Sequence, residues 1–226
     1  MSIQQMIPLM GKGVLETLYM TLVSTALAYV AGIPLGVLLI VTDADGVAPC
    51  RGVHDTLGVI INMFRSIPFI ILLFLMLPVT KAIVGTQIGS IAIIPPLTAS
   101  AAPHIARMVE SSLKEVDRGV IEAAKSMGAS PWQIVYKVLL PEAKPSLLVG
   151  AAIVMTTVLG YTAMAGMTGG GGLGAIAANY GYYRWQMGVM LVATFLLVLI
   201  TQIIQEAWMH WANASDKRKK HRGGSL

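Results

Sequence analysis

The run VLETLYMTLVSTALAYVAGIPLGVLLIV, residues 14–41, cannot form the surface of a water-soluble domain. A stretch this long and this apolar suits the interior of a bilayer, where every backbone polar group must be paired inside the segment and the solution is a helix. Further apolar stretches follow at about 58–79, 84–109, 146–167 and 187–210, each interrupted by small residues rather than by charge clusters. The expected fold is all-α, a polytopic transmembrane bundle with five spans in a single domain covering residues 1–226. Composition agrees, with 55% hydrophobic and 12% charged residues and a mean hydropathy of +0.71. The third stretch is the weakest. Its Pro95, Pro96 and Pro103 are expected to kink a helix, although its small residues suit a span surrounded by other helices. No basic segment precedes the first run, so no cleaved leader is expected.

The net charge of +5 in a soluble chain would suggest nucleic acid. Here the basic residues sit in loops and a tail between apolar runs, a pattern that sets topology and points to no nucleic-acid partner. With the 107–144 segment inside, 12 of the 16 basic residues fall on one side, including Lys217, Arg218, Lys219, Lys220 and Arg222 of the basic tail 213–226. The chain is therefore expected to start outside and end in the cytoplasm. Cys50 is the only cysteine, which excludes an intrachain disulfide and a cysteine-based metal site, and it reads as a structural thiol.

The 110–145 loop carries strong local signals. Asp117 can cap a helix through GVIEAAKSM, and Gly128 supplies the left-handed residue with which helices end. Ser130-Pro131-Trp132-Gln133 reads as a capping box with proline at the first helical position. The second helix is expected to run to about Leu140 and to be ended by Pro141 and Pro145. The result is a bent helix pair in which Ala123 and Ala124 offer a small-residue surface and Glu122 an anionic acceptor. An alternative is an amphipathic pair lying on the bilayer, with Trp132 and Tyr136 at headgroup level.

Two membrane motifs stand out. Arg65 lies inside the second run, three residues after Asn62 and three before Pro68, either snorkelling to the interface or forming a polar wall of a path. GYTAMAGMTGGGGLGA, residues 160–175, formally contains Gly-x-Gly-x-x-Gly at Gly169, Gly171 and Gly174. It follows an apolar helix rather than a strand, which rules out the dinucleotide fingerprint. Gly169, Gly170, Gly171, Gly172 and Gly174 read as a flexible outer segment, or as a helix end that unwinds to pack closely about a dimer axis. Tyr161 and Met164 are candidate path or gate residues, Met164 by its flexible thioether. Gly11-Lys12 is the only Gly-Lys pair and is followed by Gly13, so this chain holds no Walker sequence and no cofactor or metal is expected in it.

The spacing of Glu122-Ala123-Ala124, Gly128 and Val138-Leu139-Leu140-Pro141 resembles the EAA loop of ATP-binding cassette (ABC) importer permeases. Together with NMFRSIPFIILL and GYTAMAGMTGGGGLGAIAANYGY, it resembles the permease of the methionine-uptake ABC importers, a type I family with five-span permeases, over residues 10–210. A second proline at Ile94-Pro95-Pro96 departs from that pattern. The resemblance implies that Glu122, Ala123, Ala124, Gly128, Pro131, Leu140 and Pro141 form a coupling segment seated on a cytoplasmic ATPase, and that Asn62, Arg65, Pro68, Tyr161 and Met164 border the path. It implies two ATPase subunits carrying ATP and Mg, a second copy of the permease, a methionine-binding lipoprotein outside, and a bacterial inner membrane. The substrate would be L-methionine, with D-methionine beside it. The same machine for another amino acid or small nutrient is the nearest alternative. An ion-coupled carrier is disfavoured, because Glu16 and Glu206 are the only carboxylates in the spans and both lie near the ends.

Overall fold

The structure, a computed structural model, describes residues 3–215; the tail residues Lys217 to Arg222 lie outside that range. Among the described residues every regular element is helical. Helix α1 (Ile3–Thr42) has 40 residues and α2 is Arg51–Ser66. Helix α3 is Phe69–Val84, α4 is Ser90–Lys114 and α5 is Arg118–Ser126. Helix α6 (Pro131–Ile134) passes through a π-helical turn, Val135–Leu139, into α7 (Leu140–Glu142). Helix α8 is Lys144–Gly166, and α9 (Gly172–Ile176) continues through a second π-helical turn, Ala177–Tyr182. Helix α10 is Met187–Ser215.

By length and composition α1, α8 and α10 can each cross a membrane. Helices α2 and α3 together pass the same test but meet at 105°. The expected single span 58–79 is thus broken. Ile67 (φ −79°, ψ 122°) and Pro68 (φ −56°, ψ 135°) are both extended, because the proline ring drives the preceding residue out of the helical region. Pro68 then starts α3, its carbonyl accepting from the Ile71 and Leu72 N–H groups at 3.0 Å each. It breaks the helix rather than merely loosening it.

Helix α1 begins well before residue 14 and at about 1.5 Å per residue is some 60 Å long, twice the thickness of a hydrocarbon core. Its N-terminal extension is held by packing: Met6, Leu9 and Met10 join Leu173, Ile176 and Val189 in one apolar cluster. Its C-terminal half lies along α4. A Cβ at Gly32 would fall 2.7 Å from Ile105 Cβ, and one at Gly36 would fall 2.5 Å from the Ala106 carbonyl oxygen. Gly32-Ile-Pro-Leu-Gly36 is therefore a small-residue contact of the kind that lets membrane helices approach closely.

Helix α4 is the centre of the molecule, packed by α1, α2, α3 and α8. The helix stays continuous through Pro95, Pro96 and Pro103. The main apolar cluster runs along it from Ile93 to Leu113 and takes in Ile134, Val135 and Leu139 of the 110–145 loop. Cys50 is exposed just before α2, which corrects the structural-thiol expectation.

Candidate functional site

The 110–145 loop folds as its capping signals require. Asp117 Oδ1 accepts from the Gly119 N–H at 2.7 Å. Gly128 has φ +78°, and the Gly128 and Ala129 N–H groups donate to the carbonyls of Lys125 and Ala124 at 2.9 and 3.1 Å, closing α5 with a Schellman motif. The capping box forms in both directions: the Gln133 N–H donates to Ser130 Oγ at 3.3 Å and the Ser130 N–H to Gln133 Oε1 at 2.8 Å.

Two expectations for this loop are corrected. Pro141 does not end the helix; the π-helical turn before it directs the Leu140 N–H to the Val135 carbonyl, and Pro141, having no N–H to satisfy, continues in α7. Ala124 is not offered to a partner: it is buried in the chain's own core. Glu122, Ala123, Gly128, Pro131 and Pro141 are exposed and Leu140 is half-buried. Beside them stand the exposed Trp132 and Tyr136 and two exposed apolar residues that the sequence did not single out, Val120 and Met127. Val120 and Met127 are two helical turns apart, and that periodicity is the signal that could have found them.

A chain of ion pairs ties this loop to the helices. Arg107 donates to Glu110 Oε2 at 2.7 Å and to the Gly58 carbonyl at 3.1 Å. Lys114 Nζ donates to Glu110 Oε1 at 2.9 Å and pairs with Asp43 Oδ2 at 2.8 Å, while Arg118 pairs with Asp45 at 2.8 Å. The Lys114 hydrogen bond, chiefly, holds the Asp43 carboxyl below its ordinary range. The Asp43 and Glu110 hydrogen bonds raise Lys114. Asp43, His54 and Glu110 bring ligand atoms within 4.8 Å of one another, a spacing that could admit a metal. The Lys114 ammonium already pairs with both carboxylates there, and His54 Nδ1 donates to the Leu39 carbonyl at 3.0 Å. Glu110, only 5% exposed, is invisible to a reading that looks for carboxylates inside spans, since it falls one residue past the expected end of the third.

Midway, a cavity of about 330 Å³ lies between the end of α2, α4 and α8. Arg65 and Tyr161 line it, together with His104, Arg107 and Met108. The Tyr161 ring stacks on Phe69 with centroids 4.6 Å apart and planes 6° from parallel. Asn62, Pro68 and Met164 are not among the lining residues, and the Asn62 carbonyl accepts from Ser66 Oγ at 2.8 Å.

At the junction of α8 and α9 the glycines are packed rather than loose. Gly170, Gly172 and Gly174 are buried, Gly171 is half-buried and Gly169 exposed. The Gly172 N–H donates to Glu16 Oε2 at 2.7 Å and the Leu173 N–H to Thr17 Oγ1 at 2.9 Å, so an acidic side chain of α1 caps the start of α9. Gly172 sits at φ +76°, and the close approach of Gly174 to Ala163 leaves no room for a side chain.

This architecture has known counterparts. The family model of the binding-protein-dependent transport system inner membrane component matches residues 32–207. The probable D-methionine transport system permease protein MetI of Vibrio cholerae is 45% identical over 207 residues, 92% of this chain and 90% of that protein. The D-methionine transport system permease protein MetI of Escherichia coli strain K12 is 53% identical over 163 residues, 72% of this chain and 75% of that one. A solved inward-facing conformation of the MetNI methionine ABC transporter superposes with a TM-score of 0.94 at 49% identity, covering 96% of this chain and 100% of that chain. The chain therefore belongs to the family of inner membrane components of binding-protein-dependent transport systems.

Proposed function

We propose that two copies of this chain form the membrane path of an ATP-driven importer of methionine, L- and D-, in the bacterial inner membrane. The observation that carries this reading is the 45% identity, along nearly the whole of both chains, to a permease described as a D-methionine transport protein. ATP and Mg act on two cytoplasmic ATPase subunits, and a methionine-binding protein delivers the substrate from outside.

In this reading the chain is one permease domain with five spans, the second made by α2 and α3 and the third by α4. The N-terminus lies outside and the basic tail in the cytoplasm, in keeping with the distribution of Lys and Arg. Glu122, Ala123, Gly128 and Pro131 face the ATPase, an assignment supported by their exposure beside Met127 and Trp132. Arg65 and Tyr161 border the path, supported by their place in one cavity. Met164 and the glycines Gly169 to Gly174 form the outer gate region near the dimer axis. Reconstitution with the ATPase and binding protein should give methionine uptake that requires ATP hydrolysis. Uptake that persists when the ATPase is inactivated refutes the proposal.

A further inference from the structure

We infer that the cavity between α2, α4 and α8 is a transit site for the carboxylate of a small apolar amino acid, with Arg65 as its anchor. The inference rests on the proposed importer function and assigns a ligand-contacting residue within it. Three cationic or ionisable nitrogen side chains, Arg65, His104 and Arg107, line the cavity, and no Asp or Glu lines it. The two terminal nitrogens of Arg107 are committed to Glu110 and Gly58 while its Nε is buried without a partner, and His104 Nδ1 donates to the Ser100 carbonyl at 2.9 Å. Arg65 has neither an ion pair nor a hydrogen bond among the described residues. Its guanidinium is thus a free planar donor set suited to a carboxylate.

The remaining wall is apolar, with Met108, Ile153, Val154 and Val158 facing the same space. Tyr161, held flat against Phe69, adds an aromatic ring that a thioether or alkyl side chain can contact. The volume, about 330 Å³, lies at the low end of small-molecule sites and fits one amino acid rather than a peptide. A carboxylate at Arg65 with its side chain against α8 uses both walls at once. With no acidic residue in the lining, the ammonium group of the ligand adds little.

Thr157 lines the cavity and is half-buried, so a cysteine there is partly open to solvent and reports occupancy. The test uses the permease–ATPase complex in nanodiscs with Cys50→Ser and Thr157→Cys, labelled by N-ethylmaleimide without binding protein. Methionine and norleucine should slow labelling, whereas methionine amide, which lacks the carboxylate, should not. Adding Arg65→Gln should raise the half-protecting methionine concentration about tenfold or more. Arg65→Lys should retain part of the protection, and equal labelling of all variants without ligand checks that the cavity is intact. Absence of protection by methionine, equal protection by the amide, or protection unchanged in Arg65→Gln overturns the inference. ATP-dependent uptake measured on the same preparation with binding protein added tests the importer function separately: uptake without protection removes this site and leaves that function standing.

Discussion

Removing Glu110 is the most direct test of the ion chain. Its carboxylate, 7% exposed in its side chain, accepts from Arg107 at 2.7 Å and from Lys114 at 2.9 Å. Taking away one member of a buried pair leaves an uncompensated charge and costs about 3–5 kcal/mol. Arg107 is 23% exposed and Lys114 is 46% exposed and still paired with Asp43, so solvent and the second carboxylate offset part of that loss. Glu110→Ala should then destabilise by about 2–3 kcal/mol. For a chain of this size that corresponds to a fall in Tm of about 5–10 °C, followed by tryptophan emission on the purified permease in detergent. The double variant Arg107→Met/Glu110→Leu removes both charges and should recover to within about 1 kcal/mol of the parent, because apolar replacement of a whole buried pair is close to neutral. If Glu110→Ala leaves Tm unchanged, or if the double variant is no more stable than Glu110→Ala, the pair does not hold α4 as described.

The same chain of charges fixes a pH window. Asp43 is held below its ordinary 3.8, so its contribution is complete above that value and is lost as pH falls through the lowered one; Lys114 is raised above 10.5, so its contribution is complete below 10.5 and is lost as pH rises further. Unfolding followed from about pH 5 to 9 should therefore show no dependence on these two groups. Glu16→Ala removes the charged acceptor of the Gly172 N–H and should cost about 1.5–3 kcal/mol locally, seen as faster amide exchange at Gly172 and Leu173. Gly128→Val places a β-branched residue at φ +78°, costing about 1–3 kcal/mol, and with Glu122→Lys should abolish uptake while each variant still appears in the membrane fraction. Normal uptake by both variants would contradict the docking role of the loop.

What the sequence made legible depends on how local the cause is. Helices α8 and α10 start within two residues of the expected 146 and at the expected 187, because apolar runs flanked by polar residues carry their own limits. The caps at Asp117, Gly128 and Ser130 to Gln133 are settled by neighbours five residues apart or fewer. The bend at Ile67-Pro68 was not visible, since apolar residues continue across it. Its direction depends on how α2 lies on α4, through Ile61 beside Ala106 and the Gly58 carbonyl against Arg107. The N-terminal extension of α1 depends on residues more than 150 positions away around Leu173. Ala124 reads as a docking surface only until the partner helix α6 closes over it.

Helix α4 explains why hydropathy understates a buried helix. A helix facing lipid must carry its own apolar girdle, whereas one enclosed by protein needs only shape and internal pairing. Its small residues, Ala102 and Ala106 among them, meet α1 where Gly32 and Gly36 allow the backbones together, so that face is selected for size. Its charges, Arg107 and Glu110, are paired with each other, and Lys114 and the Gly58 carbonyl add a further partner to each. Its prolines lie on a helix clasped on several sides, where neighbouring helices limit the cost of a missing hydrogen bond. The features that make this segment the weakest apolar run in the sequence are thus the ones that let four helices close around it.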